Sequence, residues 1–232
     1  MADSPRLPRF SLAALAAASF MLMTAPTIAQ QRPASFVDAS TVVPNMRVEM
    51  RYLTAHNFVG VPIDGYEKPV CYLTRQAADA LAAVARELEP AGLVVKAFDC
   101  YRPTRAVAHF VRWARNLNDT KMKAEFYPDV DKSTLFRDGY IASRSGHSRG
   151  STIDMTLARK DGQELDMGTP FDFFSTKTWP SDQTVSVQAQ ANRKLLANAM
   201  RRHGFDPYKK EWWHFTLKNE PFRDTYFDFP VR

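Results

Sequence analysis

The chain is short of several things, and each shortage narrows what it can be. It has only two cysteines in 232 residues, so at most one disulfide can form. After residue 29 no apolar run approaches the roughly 20 residues that a membrane-spanning helix needs, which excludes a multi-span membrane protein. Repeats and low-complexity tracts are missing from the same region. A large excess of one charge is also missing: 31 Lys and Arg stand against 25 Asp and Glu, a formal net charge of +6. The basic residues are scattered among acidic ones, and no recognised nucleic-acid motif interleaves them, so no nucleic-acid partner is expected. A mildly basic balance suits work beside an anionic cell wall, and an ordinary solvated surface explains it equally well.

The first 29 residues are rich in what the rest lacks. Arg6 and Arg9 precede an uncharged run from Phe10 to Met23, and Thr27-Ile28-Ala29 offers a small-x-small cleavage site. That layout is expected of a secretory leader rather than an anchor. The domain organisation expected is therefore a leader over 1–29 and one domain over 30–232, exported to the periplasm or exterior, with no stable membrane insertion once the leader is cut. Removing Arg6, Arg9 and Asp3 lowers the net charge from +6 to +5. In an oxidising compartment, Cys71 and Cys100 are expected to pair. The bridge would close a loop of about 30 residues and contribute about 3–4 kcal/mol. Two buried free thiols are the alternative.

Periodicity then gives the elements. "VEMRYLTAHNFVG" suggests a strand running into a loop, with turns at Gly60, Pro62 and Gly65. Thr74 is a plausible N-cap for a helix with Ala77, Leu81, Val84 and Leu88 on one face, ending near Pro90 and Gly92. "LVVKAFD" predicts a strand, and "RAVAHFVRWARNLN" a second helix with Val107, Phe110, Val111, Ala114 and Leu117 inward. His109 on that helix is expected at the surface. Residues 119–144 suggest a long irregular loop of functional kind. "KDGQ" suggests a hairpin turn. A third helix is expected over Val187 to His203, with Leu195, Leu196, Ala199 and Met200 inward and Gly204 as its stop. "STIDMTL" and "EWWHFTL" are expected to pair antiparallel. The sum is an α+β fold: a single domain with a central, mostly antiparallel sheet flanked by helices, and a metal site on the sheet and its adjoining loops.

That pairing would bring His147, Asp154 and His214 together. Three His and carboxylate ligands with one position open to water describe a catalytic zinc site. Glu211 lies three residues before His214, on the opposite face of a regular strand, so a bulge or turn is needed to bring it to the site. Each residue also has an ordinary reading: His147 as a loop cap, Asp154 as a partner of a nearby Arg, Glu211 as a solvated charge, His214 as a hydrogen-bonded half-buried ring.

"SGHSRGSTIDMTL" together with "EWWHF" resembles the S-x-H-(x)6-D and E-x-x-H signatures of the D-alanyl-D-alanine dipeptidases, the zinc peptidases known from vancomycin resistance. "RYLTAHNFVG", "FDCYRP" and "MGTPFDFF" support the resemblance in the family's order, over roughly residues 40 to 220. It implies one Zn2+ held by His147, Asp154 and His214. It also implies Glu211 as the general base and Arg102 at the scissile carbonyl, a salt bridge beside Pro103 being the alternative for Arg102. Ser145 and Asp172 are implied as contacts to a small dipeptide, with Asp172 on its ammonium or, otherwise, capping a loop. Thr152 departs from the Ala that many relatives carry. Two neighbouring readings stay open at this level. One is a D,D-carboxypeptidase or related peptidoglycan peptidase, which needs an open groove; the other is a secreted, zinc-stabilised wall-binding module without catalysis, expected to have a fourth protein ligand.

Overall fold

The computed structural model describes Met1 and residues 30–232; the leader expected over 1–29 lies, apart from Met1, outside the described residues. The strands are β1 (Phe36–Asp38), β2 (Arg47–Val48), β3 (Tyr72–Thr74), β4 (Leu93–Asp99), β5 (Thr152–Arg159), β6 (Phe205–Pro207) and β7 (His214–Leu217). The helices are α1 (Arg75–Leu88), α2 (Thr104–Arg115), α3 (Lys123–Phe126), α4 (Leu135–Asp138) and α5 (Val187–Arg202). A five-stranded sheet runs in the order β2-β4-β5-β7-β6, and β1 pairs with β3 in a separate two-stranded ribbon. Among the described strands only β2 on β4 is parallel, and the other strand pairs are antiparallel. The fold is the expected α+β domain. No described helix is long and apolar enough to cross a membrane.

β4 and β5 form the centre because their residues can be buried on both faces. Leu93, Val94, Val95, Ala97 and Phe98 are all buried, and the apolar run is broken only by the half-buried Lys96 before it ends at Asp99. Its ammonium lies 2.6 Å from Glu164 and also pairs with Glu49. α1 packs Leu81, Val84 and Leu88 inward as its spacing predicts, each such side chain contributing about 1.5–3 kcal/mol through burial. Its cap, Thr74, accepts from the Ala77 N–H and shares a 2.7 Å hydrogen bond with Ser151 at the start of β5. The helix start and the site-bearing strand are thereby fixed to one another.

Several expectations change in detail. The strand expected from "VEMRYL" shrinks to Arg47–Val48 and gives way to a 3-10 turn at Arg51–Leu53. α2 stops at Arg115, so Leu117 lies beyond it and is 53% exposed. Val111 is only partly buried, and Trp113 takes the inward place. His109 pairs with Asp64 at 3.2 Å. In α5, Leu196, Ala199 and Met200 are buried but Leu195 is 37% exposed. Leu195 sits about 100° around the helix from Leu196, off the buried stripe. Part of that stripe is polar: the Arg193 guanidinium donates to the carbonyls of Met167 and Trp179, and Asn192 donates to that of Asp166. α5 thus pins the 166–182 loop. The 119–144 segment is less irregular than expected, since it contains α3, α4 and a 3-10 turn at Lys132–Thr134. The "KDGQ" hairpin turn forms, with the Arg159 N–H donating to the Gln163 carbonyl.

Candidate metal centre

Three neighbouring strands end at one place. In β5 and β7, Asp154 stands directly opposite His214. Between β4 and β5 the register slips, with Ala97 opposite Met155 but Asp99 opposite Asp154. This bulge puts Asp99, rather than Phe98, beside Asp154, the kind of local re-aiming that bulges give. His147 arrives from a 3-10 turn over Gly146–Arg149, capped by Ser145, whose Oγ accepts from the His147 N–H at 3.3 Å. Gly150 ends the turn at φ 82°, and a Cβ there would meet the Phe36 ring at 2.0 Å. Only glycine fits. Glu211 reaches the site because the residues between it and His214, Trp212 and Trp213, form a turn instead of continuing β7. Its Oε2 stands 3.5 Å from His214 Nδ1.

The donor set fits a metal on geometry alone. His147 Nε2 is 3.2 Å from Asp154 Oδ2 and 3.3 Å from His214 Nδ1, and His214 Nδ1 is 3.0 Å from Asp154 Oδ1. A tetrahedral zinc with bonds of about 2.0–2.1 Å spaces its ligands about 3.3 Å apart. The tautomer agrees. His147 Nδ1 lies 2.7 Å from the Cys100 carbonyl, which can only accept, so in a neutral ring Nδ1 carries the proton and Nε2 offers a lone pair inward. Asp154 Oδ1 is buried and makes no hydrogen bond. An unsatisfied carboxylate oxygen beside two converging imidazole nitrogens is costly without a cation. Burial opposes ionisation of Asp154, yet the facing imidazoles of His147 and His214 hold its carboxyl far below the usual range.

Asp99 is the part of the site that the sequence reading missed. It is fully buried, accepts from the Tyr66 hydroxyl at 2.6 Å, and accepts from Arg102 through both Nε (2.8 Å) and Nη2 (2.7 Å). Its Oδ2 is also 3.5 Å from His147 Nδ1. Arg102 is therefore in a salt bridge and at the site at once: Nη2 is 3.5 Å from Asp154 Oδ2, and the guanidinium lies over Tyr52 and Phe110. The backbone stitches the two segments together, with the Arg102 N–H donating to the His147 carbonyl. Cys71 and Cys100 are bonded as a disulfide, so the Cys100 carbonyl that orients His147 belongs to a cross-linked residue.

A matching family model, described as D-ala-D-ala dipeptidase, covers residues 32–232. The chain belongs to this peptidase family. It is 37% identical to a D-alanyl-D-alanine dipeptidase of Enterococcus faecium over 85% of this chain and 98% of that protein. It is 40% identical to one from Streptomyces coelicolor (85% and 97%) and 33% identical to one from Escherichia coli (78% and 83%). A zinc-bound D,D-pentapeptidase of vancomycin resistance and an LD-carboxypeptidase superpose only loosely. Their TM-scores are 0.39 and 0.41 at 13% and 17% identity, covering 66% and 82% of this chain and 77% and 71% of theirs.

The D-Ala-D-Ala dipeptidase signature thus maps onto a real cavity of about 210 Å3, lined by His147, Asp154, His214, Glu211, Arg102 and Asp172 among others. Ser145 is on its wall, its hydroxyl engaged in the cap described above. Asp172 caps no loop. It is buried at φ 59°, and its hydrogen-bond partner is the Tyr52 hydroxyl, which donates to Oδ2 at 2.7 Å. Burial, reinforced by the charge of Asp154, pushes its carboxyl well above the ordinary range. Burial likewise pushes Glu211 up to about 7, with His214 pulling down and Asp154 pushing up. Thr152 shares a 2.9 Å hydrogen bond with Thr216 across the β5–β7 pair, so the departure from Ala leaves its hydroxyl satisfied and the ligands in place.

Proposed function

We propose that the chain is a zinc-dependent D,D-dipeptidase that hydrolyses D-Ala-D-Ala, with one zinc per chain held by His147, Asp154 and His214. The observation carrying this reading is the convergence of three ligand atoms, each within 4.8 Å of the others, on a cavity that Glu211 also enters. Zinc, when bound, supplies Lewis-acid polarisation of the scissile carbonyl and of a water. The rest is done by side chains. Glu211, kept basic by burial, takes the proton of the attacking water and passes it to the leaving amine. Arg102, held by Asp99, keeps a permanent positive charge where oxyanion character develops. Asp172 accepts the dipeptide's ammonium, whose charge draws the buried acid back to its ionised form.

The size of the cavity favours a dipeptide over a wall chain. Its 210 Å3 falls below the roughly 300–1,000 Å3 of pockets that hold drug-sized ligands. Residues 139–142 and 144–146 wall it on one side and Asp172 and Phe174 on another, so the two loops flanking the site narrow it. The three-ligand set, with Glu211 alongside, also suits catalysis better than a purely structural zinc, which takes four protein ligands. In the same reading the protein lies outside the cytoplasm: the Cys71–Cys100 bond suits an oxidising compartment, and residues 1–29 have a leader's composition.

The test is to incubate purified, zinc-loaded protein with D-Ala-D-Ala, L-Ala-L-Ala and a wall pentapeptide, and to measure released alanine. D-Ala-D-Ala alone is expected to be turned over quickly. Faster release from the pentapeptide would move the assignment to a carboxypeptidase, and no release from any would leave a binding module.

A further inference from the structure

A free dipeptide carries two charges, and the arrangement above accounts for one. Asp172 takes the ammonium, but a carboxylate in a narrow cavity also needs a partner, because an unpaired buried charge is expensive. Arg102 already has its own place: its Nε and Nη2 are committed to Asp99, Nη2 also lies 3.5 Å from Asp154 Oδ2, and the reading above sets its charge at the scissile carbonyl. Arg144 is the other cation on the cavity wall. Among the described residues it makes no salt bridge, whereas Arg149, against the same aromatic ring, is paired with Glu220 at 2.8 Å.

The placement of Arg144 suits a carboxylate. Its guanidinium carbon lies 5.3 Å from the centre of the Tyr226 ring, a stacking contact that holds a planar fork while leaving its edges available. It stands three residues before His147, beside Ser145. Together with Val107 and Ser145 it also lines a second cavity of about 330 Å3, whose other walls include Ser148, Asp224 and Tyr226. Arg144 is therefore on the wall shared by the two cavities, and among the described residues it is the one unpaired guanidinium within reach of a dipeptide held in the first.

We propose that Arg144 is the specificity-determining residue for the substrate's free α-carboxylate, and that this contact makes the site an exopeptidase for short D-amino-acid chains. The assignment rests on the dipeptidase reading above. An interaction made alike in the ground and transition states acts mainly through KM, so Arg144 sets KM and the ratio of acid to amide turnover. It leaves zinc content alone.

The experiment compares D-Ala-D-Ala with D-alanyl-D-alaninamide, which lacks the negative charge, on zinc-loaded wild type, Arg144→Ala and Arg144→Gln. The glutamine variant keeps most of the stem that packs on Tyr226. Wild type is expected to prefer the free acid by about 10–100-fold in kcat/KM, as charge-assisted hydrogen bonds can supply. In both variants that preference should collapse towards unity, chiefly through a higher KM for the acid, with one zinc per chain retained. A preference unchanged in the folded, zinc-replete variants overturns the role of Arg144 while leaving the dipeptidase standing. Wild type that hydrolyses neither compound overturns the dipeptidase reading, and this inference with it.

Discussion

The two halves of the central strand pair share one backbone and each holds a fully buried pair of side chains, yet the pairs do opposite work. Towards one end Val95 faces Leu157 across the β4–β5 ladder, both apolar and fully buried. Three pairs further on, Asp99 faces Asp154, and around them gather Arg102, His147 and His214. Burial at the first end stabilises directly, through area removed from water. Burial at the second has to be offset by ion pairs and hydrogen bonds, and one carboxylate oxygen still goes unsatisfied. The contrast explains why the site sits at strand ends. The apolar ladder supplies rigidity, and the charged end uses it to hold groups that would otherwise move apart or hydrate.

The largest effect should come from removing a ligand at the charged end. His214→Ala takes away one of three donors, and the protein is expected to lose both bound zinc and activity. Elemental analysis of the purified variant decides it, and one zinc per chain retained would remove His214 from the ligand set. Glu211→Gln should separate metal from chemistry. Zinc stays, while kcat falls by about 10²–10⁴-fold, the usual worth of general acid–base help, with KM changed far less. A zinc-replete Glu211→Gln variant turning over at the wild-type rate would show that Glu211 is a bystander.

The comparison of ends also shows what a sequence can reveal. His147, Asp154 and His214 were legible because their residue types are rare in combination, because the alternating run after Gly150 suggests a strand, and because the spacing resembles a known family. Arg102 and Glu211 came through that resemblance, and the turn that Glu211 needs was foreseeable from its three-residue offset. Asp99 was not legible. Whether it or Phe98 faces Asp154 depends on a bulge between two strands 55 residues apart in sequence, and nothing local in "KAFDC" announces it. Tyr52 was hidden for a similar reason, since the segment expected to extend as a strand turns at Arg51–Leu53 and so presents the ring to Asp172. The error at Leu195 has another origin. Helical periodicity assumes that the buried stripe is apolar, and α5 buries Asn192 and Arg193 to hold a loop.

The apolar end should break differently. Leu157 is fully buried, and Leu157→Ala is expected to cost about 2–5 kcal/mol of unfolding free energy, transfer and cavity costs together. Bound zinc and kcat should stay close to wild type at a temperature where the variant is folded. Denaturant unfolding and steady-state kinetics on one preparation test both halves. A large loss of kcat with little loss of stability would mean that the two ends are not divided as described.

The smallest effect is expected on the outside, where charges pair without being buried. Glu87 in α1 accepts from Arg202 Nε at 3.1 Å and lies 2.8 Å from His203 Nε2, clamping α1 to the end of α5 far from the cavity. The Arg202 hydrogen bond holds the Glu87 carboxyl below its ordinary value of 4.5, outweighing slight burial, with His203 adding to it. The sign follows from linkage: a carboxylate whose pKa is depressed on folding stabilises the fold above its unfolded value and loses that contribution as pH falls through the folded one. Glu87→Gln should therefore cost about 0.2–1 kcal/mol near neutral pH, the usual worth of an exposed pair. The gap between variant and wild type should close as the pH is lowered past the ordinary carboxylate value and through the depressed one. Added salt should narrow it too, because exposed charges are screened within about 10 Å at 0.1 M, and kcat should be untouched. Urea unfolding of both proteins across that pH range measures the gap. A difference of several kcal/mol, or one that widens on acidification, would mean that the clamp behaves like the buried charges at the strand ends.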